Sequence, residues 1–272
     1  MITFLFWNTK KKQNNHLIRT ISNYYDIDIL IFVEFCTNPA KLLEELNDGN
    51  NYKYYYIPSP NCSEVGMFSR FSNDFISTIY EGNRFTIKKI VLPIMEEFLL
   101  VITHQPSKLF NDEDNQSDLS NDLIEIINST EKDEGHSRTI LVGDLNMNPF
   151  EKGVVGSHGL HAMSSRQIAL KQSRMVNERE YKFFYNPTWK FLSDANNQTP
   201  GTYYYNSGKS ITYYWNTFDQ VLIRPDLLPF FDTNDLSIVT SDGNGNLLIN
   251  ESGIPRSDDI SDHLPIVFKL SN

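Results

Sequence analysis

The chain has 272 residues, 40% of them hydrophobic and 21% charged, with 24 basic and 34 acidic residues for a net charge of −10. That length buries a full core without staples, and the composition is that of a folded protein, not a disordered one. The acidic balance disfavours a protein that coats nucleic acid by charge alone; an enzyme needs only a local electropositive site, often supplied by a metal ion.

The opening MITFLFWNTKKK has its charges after its apolar run, the reverse of a secretory leader, so a cytoplasmic protein is expected. Residues 2–7 read as a strand. Residues 14–25 set Leu17, Ile18, Ile21 and Tyr25 on one helical face. Residues 28–33 (DILIFV) are nearly all apolar, as in a strand covered on both faces. Cys36 and Cys62, the two cysteines, are too few for a disulfide framework or a cysteine-based zinc site. Asn38-Pro39 has the form of an N-cap followed by proline at the first helical position, opening a helix over 40–47. Strand-like runs follow at 52–57, 65–69, 85–92 and 98–103; an amphipathic helix is expected over 118–128 and a buried strand at 139–142. Residues 151–200 have no clean period. Further strands are expected near 202–205, 217–223, 236–239 and 266–270, with Asp242–Asn246 (DGNGN) as a turn between two strands. No apolar run reaches the roughly 18 residues of a membrane span, so membrane insertion is not expected. The sum is one α/β domain over 1–272.

Polar residues with chemical capacity stand at the ends of four apolar strands: Asn8 after FLFW, Glu34 after ILIFV, His104 after LLVIT and Asp144 after TILVG. Strand ends feeding loops are where α/β folds place ligands and catalysis. In Gly143-Asp144-Leu145-Asn146 the aspartate can take a proton from water, and the asparagine can donate to an oxyanion or ligate a hard metal; the same pair also favours an ordinary Asx-turn. Asp219 lies in the strand FDQVLI and needs a partner there, because an isolated buried carboxylate is costly. His263, in Ser261-Asp262-His263-Leu264-Pro265, is the obvious one. Gly208-Lys209-Ser210 is not a P-loop, since Tyr203 fills the required first glycine position. His158 and His161 read as surface or substrate-contact residues. The aromatic cluster Tyr203–Tyr205 with Tyr213–Trp215 reads as core and sheet surface, or as a stacking platform for bases.

In order along the chain, Trp7-Asn8, Val33-Glu34, Gly66-Met67-Phe68-Ser69-Arg70, Thr103-His104 with Ser107-Lys108, Gly143-Asp144-Leu145-Asn146, Phe218-Asp219-Gln220-Val221 and Ser261-Asp262-His263-Leu264-Pro265 resemble the endonuclease/exonuclease/phosphatase superfamily, whose members are similar to deoxyribonuclease I. The Gly-Asp-Leu-Asn and Ser-Asp-His-Leu-Pro motifs are the specific ones. The resemblance implies a four-layer sandwich, two packed mixed β-sheets flanked by helices, and metal-dependent hydrolysis of phosphate esters. It implies Glu34 as main ligand of Mg2+ (or Mn2+), with Asn8 beside it and Asp262 completing the shell. Asp144 becomes the base, Asn146 and His104 contacts to the scissile phosphate, and Asp219 the holder of His263. Arg70, Arg84 and Lys108 are expected substrate contacts, together with the lysines at 10–12. A nucleic acid, DNA first, is the expected substrate; a small or lipid-linked phosphate and a catalytically silent binding module are the alternatives. The chain departs from the inositol-polyphosphate phosphatases, which have Cys-Asp-Arg where it has TFDQ, and from abasic-site nucleases, because Thr9-Lys10-Lys11-Lys12 follows Asn8. Partner proteins carry no signal in the sequence.

Overall fold

The computed structural model describes residues 1–93, 95–108, 112–194 and 199–271. In chain order its first strands are β1 (Ile2–Asn8), β2 (Ile29–Val33), β3 (Tyr55–Ile57), β4 (Gly66–Ser69), β5 (Ile76–Glu81), β6 (Phe85–Ile90), β7 (Phe98–His104) and β8 (Thr139–Asp144). Then come β9 (Ala162–Met163), β10 (Ser173–Val176), β11 (Arg179–Lys182), β12 (Phe184–Tyr185), β13 (Tyr203–Tyr205), β14 (Tyr214–Asn216), β15 (Asp219–Ile223), β16 (Ser237–Ile238) and β17 (Ile266–Leu270). The helices are α1 (Asn15–Tyr24), α2 (Pro39–Asn47), α3 (Glu113–Glu134), α4 (Lys152–Val155) and α5 (Arg166–Ala169). One mixed sheet has the order β16-β17-β1-β2-β4-β3, the other β5-β6-β7-β8-β15-β12-β9.

The sheets pack face to face. Phe4, Phe6, Ile29, Ile31 and Val33 of the first meet Phe98, Leu100, Ile102, Ile140, Val142 and Val221 of the second. The opposite face of each sheet is covered too. Leu5, Trp7, Leu30 and Phe32 pack with Ile18 and Ile21 of α1 and Leu42 and Leu46 of α2. Leu99, Val101, Leu141 and Leu222 pack with Leu123, Ile124 and Ile127 of α3. Central strands are therefore buried on both faces, which is why they read as unbroken apolar runs and not as alternations. This is the expected four-layer sandwich.

Local signals hold in part. Asn38 caps α2, its side chain accepting from the Ala40 N–H at 2.9 Å, with Pro39 at the first helical position. Helix α3 runs well beyond the expected 118–128. Asp112 caps it through the Asn115 N–H at 2.8 Å, and Gly135 ends it in the left-handed conformation (φ 74°). Its first turns bury Gln116 and Ser120, so apolar periodicity underestimates it. Strand β5 was not expected: it is an edge strand with Ser77–Ile79 exposed. The expected strand over 52–57 is ordered as a strand only from Tyr55, and that over 217–223 only from Asp219. The 151–200 segment consists of short pieces, α4, α5 and β9 to β12, too brief to show a period. His161 corrects the surface reading: it is buried, bonded to the Lys182 carbonyl at 3.1 Å and accepting from Arg174 Nε at 2.9 Å. Burial, first, lowers its pKa to about 4.

The second sheet is pinned to α3 by a buried ion pair. Arg224, just past β15, donates from Nε to Glu131 Oε1 at 2.7 Å, and Lys182 reaches Glu131 Oε2 at 3.0 Å. Burial opposes the Glu131 charge, but Arg224 and Lys182 outweigh it and hold its pKa below the usual range. Glu131→Ala strands the buried guanidinium and should destabilise by about 3–5 kcal/mol. Urea unfolding checks this: a lower midpoint at unchanged m-value is expected, and a loss under about 1 kcal/mol would show that the pair is dispensable.

Candidate active site

Strand pairing builds the site. β7 and β8 run parallel with His104 opposite Asp144. β8 and β15 run antiparallel with Asp144 opposite Asp219. Three expected residues thus stand abreast at one end of the second sheet. In the first sheet, β1 and β2 run parallel with Asn8 beside Val33, so Glu34 follows at the same end. β17 is antiparallel to β1, with Ile266 opposite Phe6, so residues 261–263 arrive beside Asn8. Ser261 Oγ donates to the Asn8 carbonyl at 2.8 Å, and Trp7 Nε1 donates to the His263 carbonyl at 2.9 Å.

Asn8 sits between two carboxylates. Its Nδ2 donates to Glu34 Oε1 at 3.1 Å and to Asp144 Oδ2 at 2.9 Å. The other Asp144 oxygen accepts the Asn146 N–H at 2.9 Å, the Asx-turn geometry anticipated from Gly-Asp-Leu-Asn. Asn146 (φ 50°) and Glu34 (φ 48°) both occupy left-handed backbone, a strain that concentrates at functional sites. Asn146 also donates one amide hydrogen to the Gln105 carbonyl at 2.8 Å.

Two imidazoles face this carboxylate pair. His263 Nδ1 and Asp219 Oδ2 are 2.8 Å apart, and Asp219 is fully buried. His263 Nε2 stands 3.7 Å from Asp144 Oδ2, and His104 Nε2 stands 3.8 Å from the same oxygen and 3.7 Å from Glu34 Oε1. These separations exceed hydrogen bonds, so two ring nitrogens and one carboxylate oxygen are aimed at a common point. Burial alone favours the neutral ring of His263; the Asp219 and Asp144 carboxylates outweigh it and raise the His263 pKa to about 10. Tyr203 lies over the His263 ring, centroids 4.7 Å apart, and burial raises its phenol to about 12.

Sequence reasoning missed Glu64. Its Oε2 lies 3.7 Å from His104 Nδ1, and its Oε1 is held by Lys11 Nζ at 2.7 Å. The Lys11 bond, foremost, lowers the Glu64 pKa. The signal lay in strand direction. β4 is antiparallel to β2, so the residues before β4 share an end with those after β2.

The same pairing corrects Arg70. It follows β4 and therefore lies at the opposite end of the sheet from Glu34. There it bonds Asp26 at 2.5 Å and covers the Tyr52 ring with its guanidinium carbon 3.6 Å from the centroid. Arg84 is exposed next to the site, its carbonyl accepting the His104 N–H at 2.9 Å. Lys108 pairs with Glu151 at 2.5 Å and stands 5.9 Å from the Phe218 ring centroid. Asp262 is drawn toward Lys10, whose Nζ lies 3.1 Å away.

The two carboxylates suit a hard divalent cation. Glu34 and Asp144 converge on one Asn8 amide N–H group, both offer oxygen ligands, and Glu34 is the member open to solvent, its side chain 29% exposed. Asp144, Asp219 and His263 also offer atoms within 4.8 Å of one another. That second grouping is a proton-holding pair beside a carboxylate, because His263 Nδ1 is already bonded to the buried Asp219.

Among solved structures the fold is similar to D. rerio TDP2 complexed with single strand DNA product (14% identity, TM-score 0.56, covering 100% of this chain and 99% of that one). It is also similar to the human Nocturnin catalytic domain with bound sulfate anion (15% identity, TM-score 0.54, covering 98% and 93%). A third is an endonuclease/exonuclease/phosphatase family protein from Leptotrichia buccalis C-1013-b (13% identity, TM-score 0.56, covering 100% of both chains). At these identities the likeness establishes the fold. No curated relative matches the chain by sequence. The model of the Endonuclease/Exonuclease/phosphatase family matches residues 5–263, and the chain belongs to that family.

Proposed function

We propose that the protein hydrolyses phosphodiester bonds in nucleic acid, DNA first, with Mg2+ or Mn2+ held by Glu34, beside which Asn8 stands. The observation that carries this reading is Asp144 Oδ2 facing both imidazole Nε2 atoms at 3.7 and 3.8 Å, with Asp219 behind one ring. A bound divalent ion supplies positive charge against the phosphate oxygens. Asp144, oriented by the Asn146 N–H and by Asn8, takes the proton of the attacking water. His263, kept protonated by Asp219, faces the charge that builds on the phosphate, and His104 faces it from the other side. The single-stranded DNA product held by the D. rerio neighbour supports a nucleic-acid substrate.

The test is a cleavage panel with single- and double-stranded DNA, RNA, inositol phosphates and a simple phosphodiester, with and without divalent metal. Metal-dependent cleavage of a nucleic acid is expected; turnover of inositol phosphates alone would move the substrate to the small-phosphate class. Glu34→Gln should raise the Mg2+ concentration for half-maximal rate by at least about tenfold, since even partners one shell out from a metal cost that much. Full activity in excess chelator would overturn the metal assignment. Among the described residues no helix is long and apolar enough to cross a membrane.

A further inference from the structure

The run Thr9-Lys10-Lys11-Lys12 follows Asn8 directly, and its lysines, expected as substrate contacts, take no part in the chemistry above. Lys10 (φ 48°) and Lys11 (φ 55°) are consecutive left-handed residues. The Lys12 N–H closes the turn onto the Thr9 carbonyl at 2.8 Å. Turns whose two central residues both have positive φ ordinarily take Gly, Asn or Asp there. Two lysines in those places cost on the order of 1 kcal/mol or more each. The turn is welded to the site: the Lys10 N–H donates to Asn8 Oδ1 at 3.0 Å and the Lys11 N–H to the Glu34 carbonyl at 3.0 Å.

Ion pairing does not account for the strain. Lys11–Glu64 (2.7 Å) is solvent-exposed and Lys10–Asp262 (3.1 Å) half-exposed; pairs this open to water are worth about 0–1 kcal/mol. What the turn achieves is placement. It sends Lys10 to the shoulder of His263, through Asp262, and Lys11 to the shoulder of His104, through Glu64. Each ammonium group thus pairs with a carboxylate next to one of the two imidazoles that face Asp144: Asp262 directly precedes His263 in the chain, and Glu64 Oε2 lies 3.7 Å from His104 Nδ1.

Building on the nuclease reading, we propose that Lys10 and Lys11 form a two-pronged clamp for the phosphates on either side of the scissile one in a polynucleotide. When the strand enters, its backbone phosphates replace the Asp262 and Glu64 carboxylates as partners, an exchange open to water at Lys11–Glu64 and partly so at Lys10–Asp262. The clamp selects a polymer over a lone phosphodiester, because only a polymer has flanking phosphates.

The experiment compares a single-stranded oligonucleotide with bis(p-nitrophenyl) phosphate, a diester without neighbours. Lys10→Gln/Lys11→Gln should raise KM for the oligonucleotide about tenfold, with kcat within about twofold. The log–log salt slope of oligonucleotide binding should become shallower by about 1.4, roughly 0.7 per lysine on a single strand. The loss on the oligonucleotide should exceed that on the diester at least about fivefold. Lys41→Gln, which removes one charge from the exposed surface of α2, should leave all three readings in place. Lys10→Gly/Lys11→Gly should raise Tm, since glycine tolerates positive φ, yet weaken oligonucleotide binding like the glutamine pair. Equal losses on both substrates, an unchanged salt slope, or a stabilised glycine variant that binds normally would each overturn the clamp. A wild type that cleaves the diester but neither cleaves nor binds oligonucleotides would remove the nucleic-acid reading, and the clamp with it.

Discussion

Asp144→Asn should lower kcat by about 10²–10⁴-fold, the usual cost of a lost general base. Both carboxylate oxygens are engaged, one by the Asn146 N–H and one by Asn8 Nδ2. An amide in that place turns an N–H toward one of these donors, so a stability loss of about 1–3 kcal/mol is expected beside the loss of turnover. The core faces are untouched, and the far-UV spectrum should be that of the wild type. Single-turnover measurement of the chemical step separates the two effects. Near-normal kcat in this variant would end the assignment of Asp144 as base.

Asp219→Asn and His263→Ala should each cost a large share of activity, and the double variant should lose little more than the worse single one. The 2.8 Å contact between Asp219 and His263 makes them one functional unit, and units of this kind are strongly non-additive. The pH dependence carries the same information. Burial disfavours the imidazolium, but Asp219 and Asp144 raise the His263 pKa to about 10. Activity that needs the cation therefore falls as pH climbs through that value. Removing the Asp219 charge should shift this descending limb to lower pH. Linked to folding, the pair stabilises fully below the ordinary histidine value of about 6.5, and that contribution fades as pH rises toward about 10. Simple addition of the two losses, with an unmoved limb in Asp219→Asn, would mean that the residues are not coupled.

The sequence carried the parts of this site that depend on strand ends and on local motifs. Asn8, Glu34, His104 and Asp144 follow apolar strands, and Asp219 and His263 were paired from the cost of burying a carboxylate. What it lacked was strand direction. Arg70 was expected near the phosphate because it, too, follows a strand, but β4 runs antiparallel to β2 and carries it away. Glu64 was overlooked for the mirror-image reason. Elements whose buried face is polar, such as the start of α3 with Gln116 and Ser120, or whose outer face is wet, as in β5, show no apolar period to detect. Between 151 and 194 the pieces are too short for a period, and the hairpin of β10 and β11, which pair with each other across Asn177 and Glu178 (φ 47° and 64°), is too exposed to show one. The backbone signs of the Lys10–Lys11 turn were invisible, since two lysines give no hint of positive φ.

One consequence follows from how the centre is divided. The first sheet or its flanking loops bring Asn8, Glu34 and His263; the second brings His104, Asp144 and Asp219. Neither half holds a working set. Their mutual offset is fixed by the apolar interlayer, where Phe4 stacks on Phe268 at 4.7 Å and meets Phe98 of the opposite sheet edge-on at 6.4 Å. A misplacement of about 1 Å can cost on the order of 10²-fold in rate. In the proposed reaction, turnover therefore gauges sheet-to-sheet alignment, and the apolar residues between the layers set the geometry of the site as well as the stability of the fold.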